Sequence, residues 1–282
     1  MSAPGTIDES IDIQEDRSDI FHPVYTVRYR QNSIGTIDSV SSVGSQKLPV
    51  IKILGTGGTI AAKGALAIPQ PGYHVDLTIE DLIASVPDLS HTCRGVLVTL
   101  NDKIGSGYYI SKTDANSLDT FKSLGHGYLG NFVAGEAHYY FPALKPSGLK
   151  NFQLPPLFSG SLPEVAIFYA HQNFNNDLIK LAVKHMHLKG IVMATMGAGS
   201  LSDLTNEVLG EISSENHLPV IYSKRSTDGM IPISGLPKSD NHFLVASGYL
   251  NPPKARILLQ LCLFEQMDIK QIRKVFAGVY GG

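Results

Sequence analysis

"EVAIFYAHQNFNNDLIKLAVKHMHLKGIVMAT", residues 164–195, decides the fold. "EVAIFYAH" is a short apolar run rich in branched and aromatic residues, which reads as a buried strand. "NNDLIKLAVKHMHLK" (175–189) reads as a helix, and "GIVMAT" (190–195) is a second buried strand. Strand, helix and strand in succession are the unit of a parallel sheet, because parallel neighbours need a crossover that a helix supplies.

The same alternation continues toward the carboxyl end. "LTNEVLGEISSEN" (204–216) is expected to be helix, "LPVIYSK" (218–224) strand and "HFLVASG" (242–248) a further strand. "PPKARILLQLCLFEQ" (252–266) reads as a helix with proline at its start, where the missing N–H costs nothing. About three βα units therefore fill residues 163–282, with helices on both faces of the sheet.

Upstream the texture is less regular. Residues 1–48 are rich in Ser, Asp and Gln, with apolar residues at no evident period, and are expected to be a disordered leader. "LPVIKILG" (48–55) reads as a buried parallel strand closed by glycine. "VDLTIEDLIASVPDL" (75–89) has a helical period through Ile79, Leu82, Ile83 and Val86, ended by Pro87, and "RGVLVTLND" (94–102) reads as a second buried strand. Residues 125–163, rich in Gly, Tyr and Pro, suggest a hairpin or linker.

Composition narrows the function. Charged residues make up 17% and the net charge is -2, so neither a basic nucleic-acid surface nor an acidic tail is expected. Cys93 and Cys262 lack metal-ligand spacing, and two cysteines cannot build a disulfide framework, which fits a reducing compartment. The start of the chain has no signal-peptide pattern and no run of eighteen apolar residues occurs, so a cytoplasmic protein off the membrane is expected. His185 and His187, two apart, would point to different helix faces, and no metal site is expected.

The chemistry-bearing stretch is "IKILGTGGTIAAKG", residues 51–64. A dinucleotide fingerprint would need a third glycine where Ile60 stands, and a phosphate-gripping loop would need Ser or Thr where Gly64 follows Lys63. A plain strand-to-loop turn is one remaining reading. The other is nucleophilic: a threonine hydroxyl among glycine amides places an attacking oxygen beside N–H donors for the oxyanion it creates, and Thr59 would be that nucleophile.

"ILGTGGTIA" (53–61) resembles the first active-site signature of the bacterial-type L-asparaginases, and "RGVLVTLNDKI", "SKTDANSLDTFKS", "MGAGS" and "VASGYLNPPKARILLQL" extend the resemblance through residues 48–282. The resemblance implies an α/β fold of two domains: a larger amino-terminal parallel-sheet domain, here truncated (49–143), a linker (144–162) and a smaller three-layer carboxyl-terminal domain (163–282). It implies hydrolysis of asparagine, or of glutamine, to the acid and ammonia through an acyl-enzyme, with no cofactor and in a homo-oligomer, dimer or tetramer.

Carried over by position, Thr59 is the nucleophile and Gly58 contributes its amide to the oxyanion hole. Tyr73, in "PQPGYHVDL", is the tyrosine of a loop closing over substrate. Lys112, in "YYISKTDAN", takes the place of the lysine tuning the second half of the site. Ser200, in "MGAGS", is the polar residue a neighbouring subunit turns toward the substrate's amino group. Read without the resemblance, Tyr73 is a loop aromatic, Lys112 a solvated lysine, and Ser200 an N-cap for the helix beginning near Leu204.

The pattern also breaks. The family's second signature, Gly-Thr-Asp-Thr, has no counterpart, nor does its serine-glutamine pair, because "SVPDLSHT" (85–92) runs directly into "CRGVLVTLND" (93–102). An internal deletion near Thr92 and Cys93 is inferred. Its expected consequences are a strand deprived of sheet neighbours and either impaired catalysis or a silent subunit that assembles with intact relatives. A nucleotide-binding module is the third alternative.

Overall fold

A computed structural model describes residues 11–16, 24–29, 51–54, 95–134, 136–142, 150–153 and 160–282. The chain divides into two compact units, the first gathering Met1–Gly95 with Thr99–Ile104 and Gly130–Ala143, the second the remainder.

Three strands pair in the order of the chain: β1 (Ile11–Asp16), β2 (Val24–Tyr29) and β3 (Ile51–Leu54). Both pairings are antiparallel, with Ile11 opposite Tyr29, Asp12 opposite Arg28 and Val27 opposite Ile51. Two expectations change here. Residues 11–16 and 24–29 are strands rather than disordered leader, and β3 is not part of a parallel sheet. "IDIQED" does alternate apolar with polar, and "VYTVRY" is β-branched and aromatic, the composition that suits a ladder. A strand hydrogen-bonds to whichever edge the chain brings alongside it, and here that edge is β2.

The next segment is antiparallel as well. Strands β4 (Leu97–Leu100) and β5 (Lys103–Ser106) join β8 (Gly130–Val133) and β9 (Glu136–Tyr139) in the order β4-β5-β8-β9, while β6 (Ser111–Lys112) and β7 (Phe121–Lys122) form a separate two-stranded hairpin. Residues 94–102, expected as a buried strand, contain β4 instead, which buries no residue fully; the preceding Val96 is 78% exposed. An apolar run specifies a strand but not what covers it.

From Val165 onward the reading from sequence holds closely. Strands β10 (Val165–Tyr169), β11 (Gly190–Thr195), β12 (Val220–Lys224) and β13 (Leu244–Ala246) lie in chain order, all parallel. Between them run α1 (Asp177–His185) and α2 (Asp203–Asn216); α3 (Pro252–Phe264) and α4 (Ile269–Ala277) follow. The pleat sorts the core into two layers. Ile191, Met193, Val220 and Tyr222 pack with Ile179 of α1 and Leu209 of α2, whereas Val192, Ile221 and Val245 pack with Leu259 of α3 and Ile272 and Phe276 of α4. Strands buried on both faces carry continuous apolar sequence, which is why "GIVMAT" is buried at every residue.

Helix α4 was not read from the sequence. A reciprocal capping box starts it: Asp268 Oδ1 accepts from Gln271 N at 2.8 Å and Gln271 Oε1 accepts from Asp268 N at 2.9 Å. For α2 the cap is Ser202, whose Oγ accepts from Thr205 N at 3.2 Å, rather than Ser200. Ser202 is the residue directly before the first helical residue, where a hydroxyl can meet an unpaired amide. Among the described residues no helix is long and apolar enough to cross a membrane.

Candidate functional site

Four parallel strands send their carboxyl ends the same way, so the loops after β10, β11, β12 and β13 gather at one edge of the second unit, the usual position of sites in such sheets. In the loop after β11, Met196 N donates to Ser200 O at 3.0 Å, closing the turn. Gly199, at φ 101°, sits so that a Cβ would lie 2.2 Å from the Gly235 carbonyl oxygen, so glycine is required both by the backbone angle and by the close approach. This leaves Ser200 exposed beside a rigid turn.

Lys224, the last residue of β12, is buried, and its Nζ donates to the Gly229 carbonyl. Burial lowers its pKa, partly offset by the Asp228 carboxylate. Asp228 Oδ1 accepts from Gly229 N at 2.7 Å, and Ser226 Oγ donates to Asp228 O at 2.9 Å, so the loop holds its carboxylate in place.

Opposite stand residues from the 106–126 segment. The Tyr109 ring stacks on the His126 ring at 4.2 Å, and Tyr249, from the loop after β13, meets His126 edge-on at 4.6 Å. His126 Nδ1 lies 2.8 Å from the Leu124 carbonyl oxygen, which can only accept, so that nitrogen bears a proton; Asp228 Oδ1 is 4.0 Å from it. Together with Lys224 and Asn251, these groups line one polar cleft.

Lys254 supports this arrangement from the first turn of α3. Its Nζ donates to the carbonyls of Gly107, Tyr108 and Ile110 at 2.9, 2.8 and 2.6 Å, spending all three of its donors on one turn of chain. Asn251 caps α3 through Lys254 N at 3.1 Å and also donates from Nδ2 to Ser111 Oγ at 3.0 Å. Burial, and then the neighbouring Lys224 charge, lower the Lys254 pKa to about 8. Such a saturated ammonium holds structure; Lys224, His126 and Asp228 are the groups with capacity left for a ligand.

Of the residues expected from the sequence, Thr59, Gly58 and Tyr73 lie outside the described residues, as do the helix expected at 75–89 and Cys93. Lys112 is exposed on the β6–β7 hairpin, its backbone opposite Phe121. Ser200 is in the loop after β11, so the two occupy separate elements. The cluster around Lys224, Lys254 and His126 was not read from the sequence. One signal was present: a lysine in the first turn of a helix opposes the macrodipole, and its position there implies a specific acceptor. Among the described residues no group of three His, Cys, Asp or Glu is placed to hold a metal ion.

These features define an α/β protein whose polar loops converge at the carboxyl ends of a parallel sheet, the layout of a domain that handles a small polar molecule. Its sequence is similar to the Glutaminase/Asparaginase C-terminal domain over residues 164–276 and to the asparaginase N-terminal domain over residues 89–145. It is 32% identical to L-asparaginase 2-3 of Saccharomyces cerevisiae over 338 aligned positions, covering 84% of this chain and 92% of the yeast protein. It is 29% identical to L-asparaginase 2 of Escherichia coli, covering 78% of this chain and 70% of that one. Among solved structures, a probable cytoplasmic L-asparaginase from Campylobacter jejuni matches with a TM-score of 0.58 and 34% identity, over 65% of this chain and 56% of that one. The chain belongs to the asparaginase family. The yeast alignment, at 338 positions, is longer than the 282 residues of this whole chain, so the yeast protein has residues with no counterpart here.

Proposed function

We propose that this protein is an amidohydrolase that converts L-asparagine to aspartate and ammonia. The observation that carries this reading is family membership together with "ILGTGGTIA". Thr59 Oγ attacks the side-chain amide carbon, the amide N of Gly58 stabilises the oxyanion, ammonia leaves, and water hydrolyses the ester. Tyr73 closes over the substrate and orients the hydroxyl. Ser200, exposed on its rigid turn, reaches the substrate's amino group in a neighbouring copy of the chain, which makes the active assembly a homo-oligomer. Lys112 takes the remaining polar role implied by the resemblance, and its exposed hairpin position makes it the most dispensable of the set. The reaction takes place in the cytoplasm, without metal or cofactor, and glutamine is the competing substrate.

The test is ammonia release from L-asparagine by the purified chain, with Thr59→Ala alongside. Release that disappears in Thr59→Ala supports the reading, and release unaffected by it overturns the assignment of the nucleophile. A second reading is favoured by the length of the yeast alignment: a silent subunit that assembles with full-length relatives. A folded chain that releases no ammonia and co-purifies with an active relative supports that one.

A further inference from the structure

A second cleft, of about 320 Å³, is lined by the start of β13, the segment before it and one residue of α4. Its volume falls at the lower end of small-molecule sites. Leu244, buried at the start of β13, lines it, and Ile233, Leu236 and Pro237 supply further apolar surface. Arg273 of α4 and Asp240 of the loop before β13 also line it. Neither charge forms an ion pair with a described residue, and they do not pair with each other, so two opposite charges share one cleft without touching.

The walls are preformed. Asn241 Nδ2 donates to Gly210 O at 3.0 Å and to Ser213 Oγ at 2.8 Å, while its Oδ1 accepts from Phe243 N at 2.9 Å, pinning the loop that carries Asp240. The 3₁₀ turn Ile233–Gly235 is held against the 196–200 turn, where a Cβ on Gly235 would lie 2.4 Å from the Ala198 carbonyl oxygen. Arg273 stands on a capped helix whose Ile272 and Phe276 are buried. A site on rigid elements spends little of its binding energy on ordering itself.

The chemistry selects the ligand. A guanidinium fork pairs with a carboxylate, the Asp240 carboxylate pairs with an ammonium, and the lining carries one charge of each sign. The apolar surface favours an aliphatic body, whose burial removes it from water. A second carboxylate on the ligand would meet Asp240 and be repelled. We infer that this cleft binds a net-neutral α-amino acid with an aliphatic side chain, its carboxylate on Arg273 and its ammonium on Asp240. Binding in this cleft does not depend on the proposed reaction.

The experiment is calorimetric titration of the full chain with L-leucine, compared with isovalerate, which lacks the ammonium, isoamylamine, which lacks the carboxylate, and L-aspartate. Saturable millimolar binding of L-leucine, weakened about tenfold or more in both Arg273→Gln and Asp240→Asn and in the two truncated ligands, is the expected result. Asp240 is exposed, so Asp240→Asn keeps the fold even if Arg273→Gln disturbs α4. Absence of leucine binding, binding unchanged in Asp240→Asn, or displacement of bound leucine by an equal concentration of L-aspartate overturns the inference. None of these readouts depends on ammonia release, so a failure of the proposed reaction is distinguishable from a failure here.

Discussion

Two serines two residues apart separate stability from recognition at the scale of single residues. Ser202 spends its hydroxyl on the amide of Thr205, whereas Ser200 is exposed and its backbone carbonyl, not its side chain, closes the 196–200 turn. Ser202→Ala should therefore destabilise the protein by about 1 kcal/mol, seen as a lower urea midpoint with unchanged slope. Ser200→Ala should leave that midpoint in place and, on the proposed reaction, raise KM for asparagine. A shift of the midpoint by Ser200→Ala would return the capping role to Ser200.

At the scale of elements, α3 does two jobs with its first turn. Asn251 and Lys254 cap or begin the helix and at the same time bind the 107–111 segment, while Tyr108 Oη reaches the Val279 carbonyl at 3.0 Å beyond α4. Lys254→Met preserves the aliphatic stem but leaves three carbonyls without a donor. A loss of about 2 to 4 kcal/mol is expected, together with greater near-ultraviolet signal change than far-ultraviolet change, because the turn bearing Tyr108 and Tyr109 loosens while the helix persists. Equal stability of Lys254→Met and the parent chain would show the three bonds to be offset by burial of the charge.

The elements themselves differed in how plainly their sequences announced them. β10 through β13 with α1 to α3 were legible because each strand is a largely apolar run and the helices between and after them carry their own periods and terminal signals. α4 was not, although Asp268 and Gln271 stand three apart as a capping box requires. β1 and β2 were missed because six-residue runs are weak signals inside a polar stretch. β3 was identified as a strand and assigned the wrong kind of neighbour, since a short run such as Ile51–Leu54 reads alike beside a parallel or an antiparallel partner.

At the scale of the whole molecule, buried titratable groups set the response to alkali. Burial raises the Cys262 pKa from 9.0 to about 12, with Glu265 adding to the shift, and raises Tyr108 and Tyr222 above 10.0. Above these unfolded values the unfolded chain releases protons that the native chain keeps, so stability falls as pH rises. Lys254 acts in the opposite direction: lowered from 10.5 to about 8, it makes the native chain release its proton first, so its contribution rises between those values. The two effects oppose each other up to about pH 10.5, beyond which only the falling contributions remain. Melting temperature should therefore drop steeply above that pH, and Cys262→Ala, though less stable at neutral pH, should show a shallower drop from pH 9 upward. A parallel decline in both proteins would remove Cys262 from the account.

By itself the sequence determined the parallel α/β character of residues 163–282, the succession of strands and helices along them and the kinship carried by "GTGGT", "MGAGS" and "NPPKAR". Periodicity, caps and contiguous motifs are local properties, and a local reading recovers them. Only the tertiary structure decided which strands β3 and β4 join, which serine caps α2, and that Tyr109, His126, Lys224, Asp228 and Lys254 meet around one cleft. Those residues are separated by up to 145 positions along the chain, and nothing in their spacing marks them as neighbours. The parallel sheet sends the loops after its strands, with Lys224 and Asp228, to one edge, and the three bonds from Lys254 to Gly107, Tyr108 and Ile110 hold the segment bearing Tyr109 there.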